Sequence, residues 1–246
     1  MGCGMHYAQQ EYSVRLQWGL PAVQHLSAQA AHCVIVDVLS FGTSVDIACG
    51  NGAEVLPYRY RTTGAADFAS EQQAILAAER SHHQPSLSPA SLCGLRAGSR
   101  LVLPSQNGAA LSLISESANT VAACLRNAAA VADYLETMGG DVLLVAAGEL
   151  DADGRLRFAY EDFIGAGAII QRLRRGKSPE ALAAEAAFEL ARHDLERQLQ
   201  FTASGAELAA RGFQDDIVLA AQLNISACVP VLDDGAFRAG RELAAA

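Results

Sequence analysis

Positive charge is scarce in this chain, and so are the local motifs that usually announce a function. Its 246 residues contain 18 Lys and Arg against 27 Asp and Glu, a formal charge of −9 at pH 7. That balance argues against a nucleic-acid partner, because phosphate backbones are gripped mostly by Lys and Arg. A small anion stays open as a substrate wherever a metal or a local Arg cluster reverses the field. Cysteine offers no framework either: Cys3, Cys33, Cys49, Cys93, Cys124 and Cys228 form no C-x-x-C pair and mostly stand in apolar or Ala-rich surroundings. That usage fits buried thiols in a reducing cytoplasm. No apolar run approaches the roughly 18 residues that a membrane span needs. The opening MGCGMHYAQQEY lacks the apolar core of a leader, and His6 stands where a myristoylation motif on Gly2 wants Ser or Thr. A soluble, cytoplasmic protein with no membrane partner is expected.

What the chain does have is apolar residues, 51% against 18% charged, enough to bury a sizeable core. Apolar runs alternate with Ala-rich stretches, which is the pattern of an α/β layer fold. Strands are expected at residues 14–18, 33–39, 54–58, 100–104, 142–146, 155–160 and 227–232. Several are continuous Val, Ile and Leu runs, so the sheet should be buried on both faces. Helices are expected at 43–49, 65–80, 117–137, 162–175, 179–200, 206–211 and 215–223. Residues 81–99, with Pro85, Pro89 and several Ser, read as a long loop lying over a site. No low-complexity linker divides the chain. It reads as a single domain over 1–246, or as two intimately packed halves, since a strand, a small-residue turn and a helix occur in each half.

Four polar clusters stand where strands give way to turns. They are Asp37 with Ser40, Thr43 and Ser44; Pro104-Ser105-Gln106-Asn107-Gly108; Gly148-Glu149; and Glu161-Asp162. In α/β sheets ligands sit outside the carboxyl ends of the strands, which favours Asp37 as a functional carboxylate. The alternative is an Asp that caps the next helix. Glu161-Asp162 could likewise serve only to complement a helix start, and Asn107-Gly108 could be an ordinary turn. If the strands are neighbours and share direction, the clusters converge on one edge of the sheet. Carboxylates with amides and hydroxyls suit Mg²⁺ better than Zn²⁺, and suggest metal-assisted phosphoryl chemistry.

Other catalytic templates fail. A cysteine phosphatase needs an Arg six residues after its nucleophile, and Leu39 stands there after Cys33. A D-x-D phosphatase motif is missing its second acid in Asp37-Val38-Leu39. G-x-S-x-G, H-E-x-x-H and Walker A sequences are absent, and Gly165-Ala166-Gly167 falls inside an expected helix, where its glycines allow close packing.

A set of ordered segments remains: Val36-Asp37-Val38-Leu39, Asn51-Gly52-Ala53, Glu79-Arg80, Ser88-Pro89, Asn107-Gly108, Ala147-Gly148-Glu149, Phe158-Ala159-Tyr160-Glu161-Asp162 and Asp215-Asp216, then Val229-Pro230 with Gly235 and Phe237. Over nearly the whole chain these resemble the 2-phosphosulfolactate phosphatase family. The resemblance implies a three-layer α/β/α fold with a mostly buried, mixed or parallel sheet. It also implies Mg²⁺-dependent hydrolysis of (R)-2-phospho-3-sulfolactate to sulfolactate and phosphate, an activity first associated with coenzyme M biosynthesis. On that reading Asp37, Glu161 and Asp162 hold the metal or orient water, and Glu149 is the acid/base. Ser40, Thr43, Ser105, Asn107, Gly108 and Arg80 then contact the small phosphorylated substrate.

Departures from the family pattern accompany the matches. The family's D-V-L-R-A-T-T becomes Asp37-Val38-Leu39-Ser40-Phe41-Gly42-Thr43, its G-N-S-P becomes Ser86-Leu87-Ser88-Pro89, and its T-T-N-G-T becomes Pro104-Ser105-Gln106-Asn107-Gly108-Ala109. The first change removes a guanidinium able to grip an anion through two hydrogen bonds. Arg59, Arg61 or Arg80 can fill the space, with Arg80 the family-matching residue. The alternatives to the phosphatase expectation are a phosphatase for a different phosphomonoester and a non-catalytic small-anion-binding homologue. A homo-oligomer is left open.

Overall fold

Apolar strands at the centre of the chain's α/β alternation assemble into one nine-stranded sheet. The computed structural model describes residues 6–59 and 63–240, so Gly2, Cys3 and Arg61 lie outside the described residues. The first half runs β1 (Val14–Trp18), α1 (Gly19–Leu26), β2 (His32–Val36), α2 (Phe41–Gly50), β3 (Glu54–Arg59), α3 (Ala65–Glu71), β4 (Ile75–Leu76), β5 (Arg100–Ser105) and α4 (Gly108–Ile114). There follow β6 (Thr120–Ala123), α5 (Ala128–Met138), β7 (Val142–Ala146), β8 (Glu149–Leu150), β9 (Leu156–Arg157) and α6 (Tyr160–Ile170). The chain then forms α7 (Pro179–Ala191), α8 (Leu195–Gln200), α9 (Ala203–Ala210), α10 (Gln214–Ala220), β10 (Pro230–Asp233) and β11 (Ala236–Ala239).

The strand order is β1-β7-β2-β6-β10-β11-β3-β5-β4. β1, β7, β2 and β6 run parallel to one another, as do β3, β5 and β4. The β10–β11 hairpin lies between these groups and pairs antiparallel with both. One face of the first group, including Val34, Val36, Val121 and Leu144, packs under α5, α6, α7 and the shorter helices after them. Its other face, with Cys33, Ile35, Leu143 and Val145, lies under α1. Around β3 and β5, α2 covers Val55, Leu101 and Leu103, while α3 covers Leu56 and Val102. The result is the three-layer α/β/α architecture, with a mixed sheet buried on both sides. Among the described residues no helix is long and apolar enough to cross a membrane.

Several expected elements are redrawn. The strand expected over 33–39 ends at Val36, so Asp37 opens the turn rather than continuing the ladder. The helix expected over 117–137 begins with a central strand, β6, and only Ala128–Met138 is helical. Asn127 makes the break, its Oδ1 accepting the Cys124 N–H at 2.9 Å. The 65–80 helix stops at Glu71, because Ile75–Leu76 pairs with β5. Of the 155–160 strand only Leu156–Arg157 forms, in a small ladder with β8, and Tyr160 already starts α6. The 179–200 helix divides at 192–194 into α7 and α8. The last expected strand starts at Pro230 rather than at residue 227. Cys93 is exposed, against the expectation of buried thiols, while Cys33, Cys49 and Cys124 are buried.

Candidate active site

The buried run His32–Val36 delivers Asp37 to the end of β2, where the chain turns into α2. Asp37 is 6% exposed, and each carboxylate oxygen accepts a backbone N–H. Oδ1 accepts from Phe41 at 3.1 Å, and Oδ2 accepts from Gly108 at 2.9 Å. The expected capping role is therefore present, but on two helices at once, since Phe41 opens α2 and Gly108 opens α4. This close approach requires glycine. A Cβ on Gly108 would lie 2.4 Å from Phe41 Cδ1 and 2.7 Å from Asp37 Oδ2. Burial, with the charges of Glu149 and Glu161, raises the Asp37 pKa to about 7 against the pull of the two amides.

β7 lies beside β2 and parallel to it, so Gly148 and Glu149 arrive at the same edge as Asp37, as the sequence pattern required. β5 is not a neighbour of β2, and its direction is reversed by the three antiparallel steps between β6 and β3. A sheet that twists roughly 20–25° per strand turns about 100° over the five steps between them. Strands of opposite formal direction therefore need not end at opposite edges. The link is direct: Gly108 meets Asp37, and Asn107 Nδ2 donates to Glu149 Oε1 at 3.0 Å.

Asp162, in the first turn of α6, is 3% exposed and ties the strand ends together. Its Oδ1 accepts from Val38 N at 2.8 Å and its Oδ2 from Gly148 N at 2.9 Å. Burial, then the charges of Asp37 and Glu161, pushes its pKa well above the carboxylate range. Glu161 is buried beside it. Neither acid lines the open cleft, and Thr43 does not either: its hydroxyl is fully buried and donates to Val38 O at 2.8 Å.

The cleft itself has a volume of about 530 Å³ and brings Asp37, Ser40, Arg80, Ser105, Asn107 and Glu149 onto one surface. Ser40 stands where the family pattern has Arg, and the Arg80 Nη2 donates to its Oγ at 3.1 Å. Arg80 also pairs with Asp216, which is 1% exposed. Asp216 in turn accepts from Ser88 Oγ and, at 3.2 Å, from Ala90 N. Burial lowers the Arg80 pKa from its ordinary value, and the Asp216 carboxylate opposes that shift. Three segments recognised separately in the sequence, Glu79-Arg80, Ser88-Pro89 and Asp215-Asp216, thus form one network. The 81–99 loop does border the cleft, through Leu87.

Sequence reasoning missed the part of the wall made by Ser204, Glu207 and Leu208 of α9 with Arg211 just after it. No local motif marks these residues, which reach the cleft only through tertiary packing. Among the described residues there is no group of three or more His, Cys, Asp or Glu arranged to hold a metal ion.

A three-layer α/β/α protein whose cleft sets the buried Asp37 beside an anchored arginine has the construction of an α/β enzyme with a site for a small anion. A family model described as 2-phosphosulpholactate phosphatase matches residues 20–235. The chain belongs to the 2-phosphosulfolactate phosphatase family, whose members are phosphoric monoester hydrolases. Similar proteins include the "Probable 2-phosphosulfolactate phosphatase" of Thermotoga maritima, 31% identical over 83% of this chain and 90% of that relative. The protein of the same description from Carboxydothermus hydrogenoformans is 34% identical over 87% of this chain and 90% of its own. The "2-phosphosulfolactate phosphatase" of Methanothermobacter thermautotrophicus is 29% identical over 82% of this chain and 87% of its own.

Proposed function

We propose that this protein is a Mg²⁺-dependent phosphatase that hydrolyses 2-phospho-3-sulfolactate to 3-sulfolactate and phosphate. The observation that carries the reading is Asp37, a buried carboxylate in the cleft wall whose oxygens are aimed by the first amides of two helices. Burial first, then the charges of Glu149 and Glu161, raise its pKa, and a divalent cation in the cleft would offset all three. Mg²⁺ is commonly held by one or two carboxylates, with water and substrate oxygens completing its shell. Asp37 and Glu149 on the cleft suit that demand without a larger acidic cluster. When bound, the metal neutralises phosphate charge and positions the attacking oxygen.

The chain's own groups do the rest. The Asn107 amide, the Ser105 hydroxyl and the Arg80 guanidinium bind phosphate oxygens. Arg80, reaching Ser40, supplies the cation that the family pattern places at position 40, which favours hydrolysis over mere binding. Glu149, oriented by Asn107, moves protons: it takes one from the attacking water, and the leaving sulfolactate oxygen receives one as the ester P–O bond breaks. Asp162 and Glu161 hold the wall behind Asp37. The test is phosphate release by purified protein from racemic 2-phosphosulfolactate and a panel of phosphomonoesters, with Mg²⁺ and then with EDTA. Release from phosphosulfolactate that stops in EDTA and returns with Mg²⁺ is expected; silence across the panel would sink the proposal.

A further inference from the structure

We infer that Arg211 and Ser204, which line the same cleft as Asp37, form a sulfonate subsite there, so that the enzyme selects its substrate by a second tetrahedral anion. This rests on the phosphatase reading above and adds to it the residues that choose the substrate. Phe213, 6% exposed, anchors the wall. The guanidinium carbon of Arg80 lies 5.5 Å from its ring centroid and that of Arg211 lies 6.0 Å away. His82 stacks on the same ring at 4.4 Å. Two guanidiniums gathered on one ring place the positive charge of the cleft on this wall, the other charged residues that line it, Asp37, Glu79, Glu149 and Glu207, being acidic. The Arg211 charge is felt at Arg80, whose pKa it helps to lower after the larger effect of burial.

The two arginines are compensated unequally. Arg80 has buried Asp216 as its partner. Arg211 has Glu207 Oε1 at 3.4 Å from Nη1, an exposed pair of the weak kind that engages one nitrogen of the fork. Ser204 lines the same wall, and its Oγ is buried with no hydrogen-bond partner among the described residues, a state that costs stability and that a turn of the hydroxyl toward a ligand oxygen would relieve. Ser204 also sits in the first turn of α9, where helix dipoles favour an anion.

The cleft volume of about 530 Å³ exceeds what a phosphate alone occupies. With the phosphate beside Asp37, Ser40 and Arg80, the sulfonate on the substrate's third carbon is the anion farthest from the reacting phosphorus. It presents three acceptor oxygens and no donor, which suits a guanidinium fork and a hydroxyl.

The experiment compares kcat/KM for 2-phosphosulfolactate and for 2-phospholactate, which keeps the phosphate and carboxylate but has no sulfonate. Arg211→Ala is expected to reduce the preference for the sulfonated substrate by about 10- to 100-fold, mainly through KM, with Arg211→Lys recovering part. Ser204→Ala is expected to reduce it by about 3- to 10-fold. A proportional loss on both substrates overturns the subsite. If the wild-type protein hydrolyses neither, the phosphatase reading has failed, and calorimetry with 3-sulfolactate decides the subsite separately. Binding to wild type that is lost in Arg211→Ala upholds it; equal binding to both proteins, or none to wild type, overturns it.

Discussion

Asp37 joins two roles that are usually separate, since it caps helices with both oxygens and still faces the cleft as a carboxylate near neutrality. Asp37→Asn is expected to lower kcat by about 10²- to 10⁴-fold while leaving the far-ultraviolet circular dichroism unchanged. Its effect on stability depends on pH. With a folded pKa of about 7 against an unfolded value near 3.9, native Asp37 keeps a proton that the unfolded chain has lost. The wild type therefore loses stability as pH rises from about 4 through about 7, by up to about 4 kcal/mol from this group. Thermal melts of the two proteins should show the difference moving in the variant's favour across that window and staying constant above it. Gly108→Ala meets Phe41 and Asp37 Oδ2 at once, and is expected to cost about 1–3 kcal/mol in a urea titration and most of the activity. The candidate site was half legible from residues like these. Asp37, Glu149 and Asn107 sit at strand exits that the apolar runs point to, whereas Ser204 lies on a helix whose local sequence is plain, Arg211 follows its end, and both reach the cleft only when the sheet and its helical layer are assembled.

At the scale of elements, close packing of α6 on α7 holds the first turn of α6, and with it Asp162, against the strand ends. A Cβ on Gly167 would fall 2.1 Å from the Ala184 backbone oxygen, which cannot rotate away. Gly167→Ala should cost about 1–3 kcal/mol of stability in chemical denaturation. Gly176→Ala, facing open space, should change the midpoint little. The glycines of α6 were readable as packing positions, and the long Val and Ile strands were readable as core. β6 was not, because Thr120-Val121-Ala122-Ala123 opens an Ala-rich stretch of strong helix preference and becomes a strand only by pairing with β2 and β10. β4 was hidden in the same way: the Ala, Glu and Gln of residues 71–80 favour helix, and pairing with β5 overrides them.

For the molecule as a whole, Arg80–Asp216 bolts the 81–99 loop and α10 to the cleft. Removing one partner leaves a buried charge alone, so Asp216→Ala is expected to cost about 3–5 kcal/mol in urea denaturation. Arg197→Ala, whose pair with Asp194 is largely exposed, should cost less than about 1 kcal/mol. The sheet's middle is completed from residues 230–239, where β10 closes on β6 and Phe237 of β11 pairs with Val55 and meets the Phe41 ring at 6.1 Å. During synthesis on the ribosome, the two groups of parallel strands must therefore wait with their inner edges open until this hairpin emerges. Open edges invite pairing between nascent chains, and contacts this distant in sequence form slowly. The loop after β2 that carries Asp37 thus receives its last packing support late in translation, and active enzyme should appear only after the strands flanking the gap have already been made and held apart.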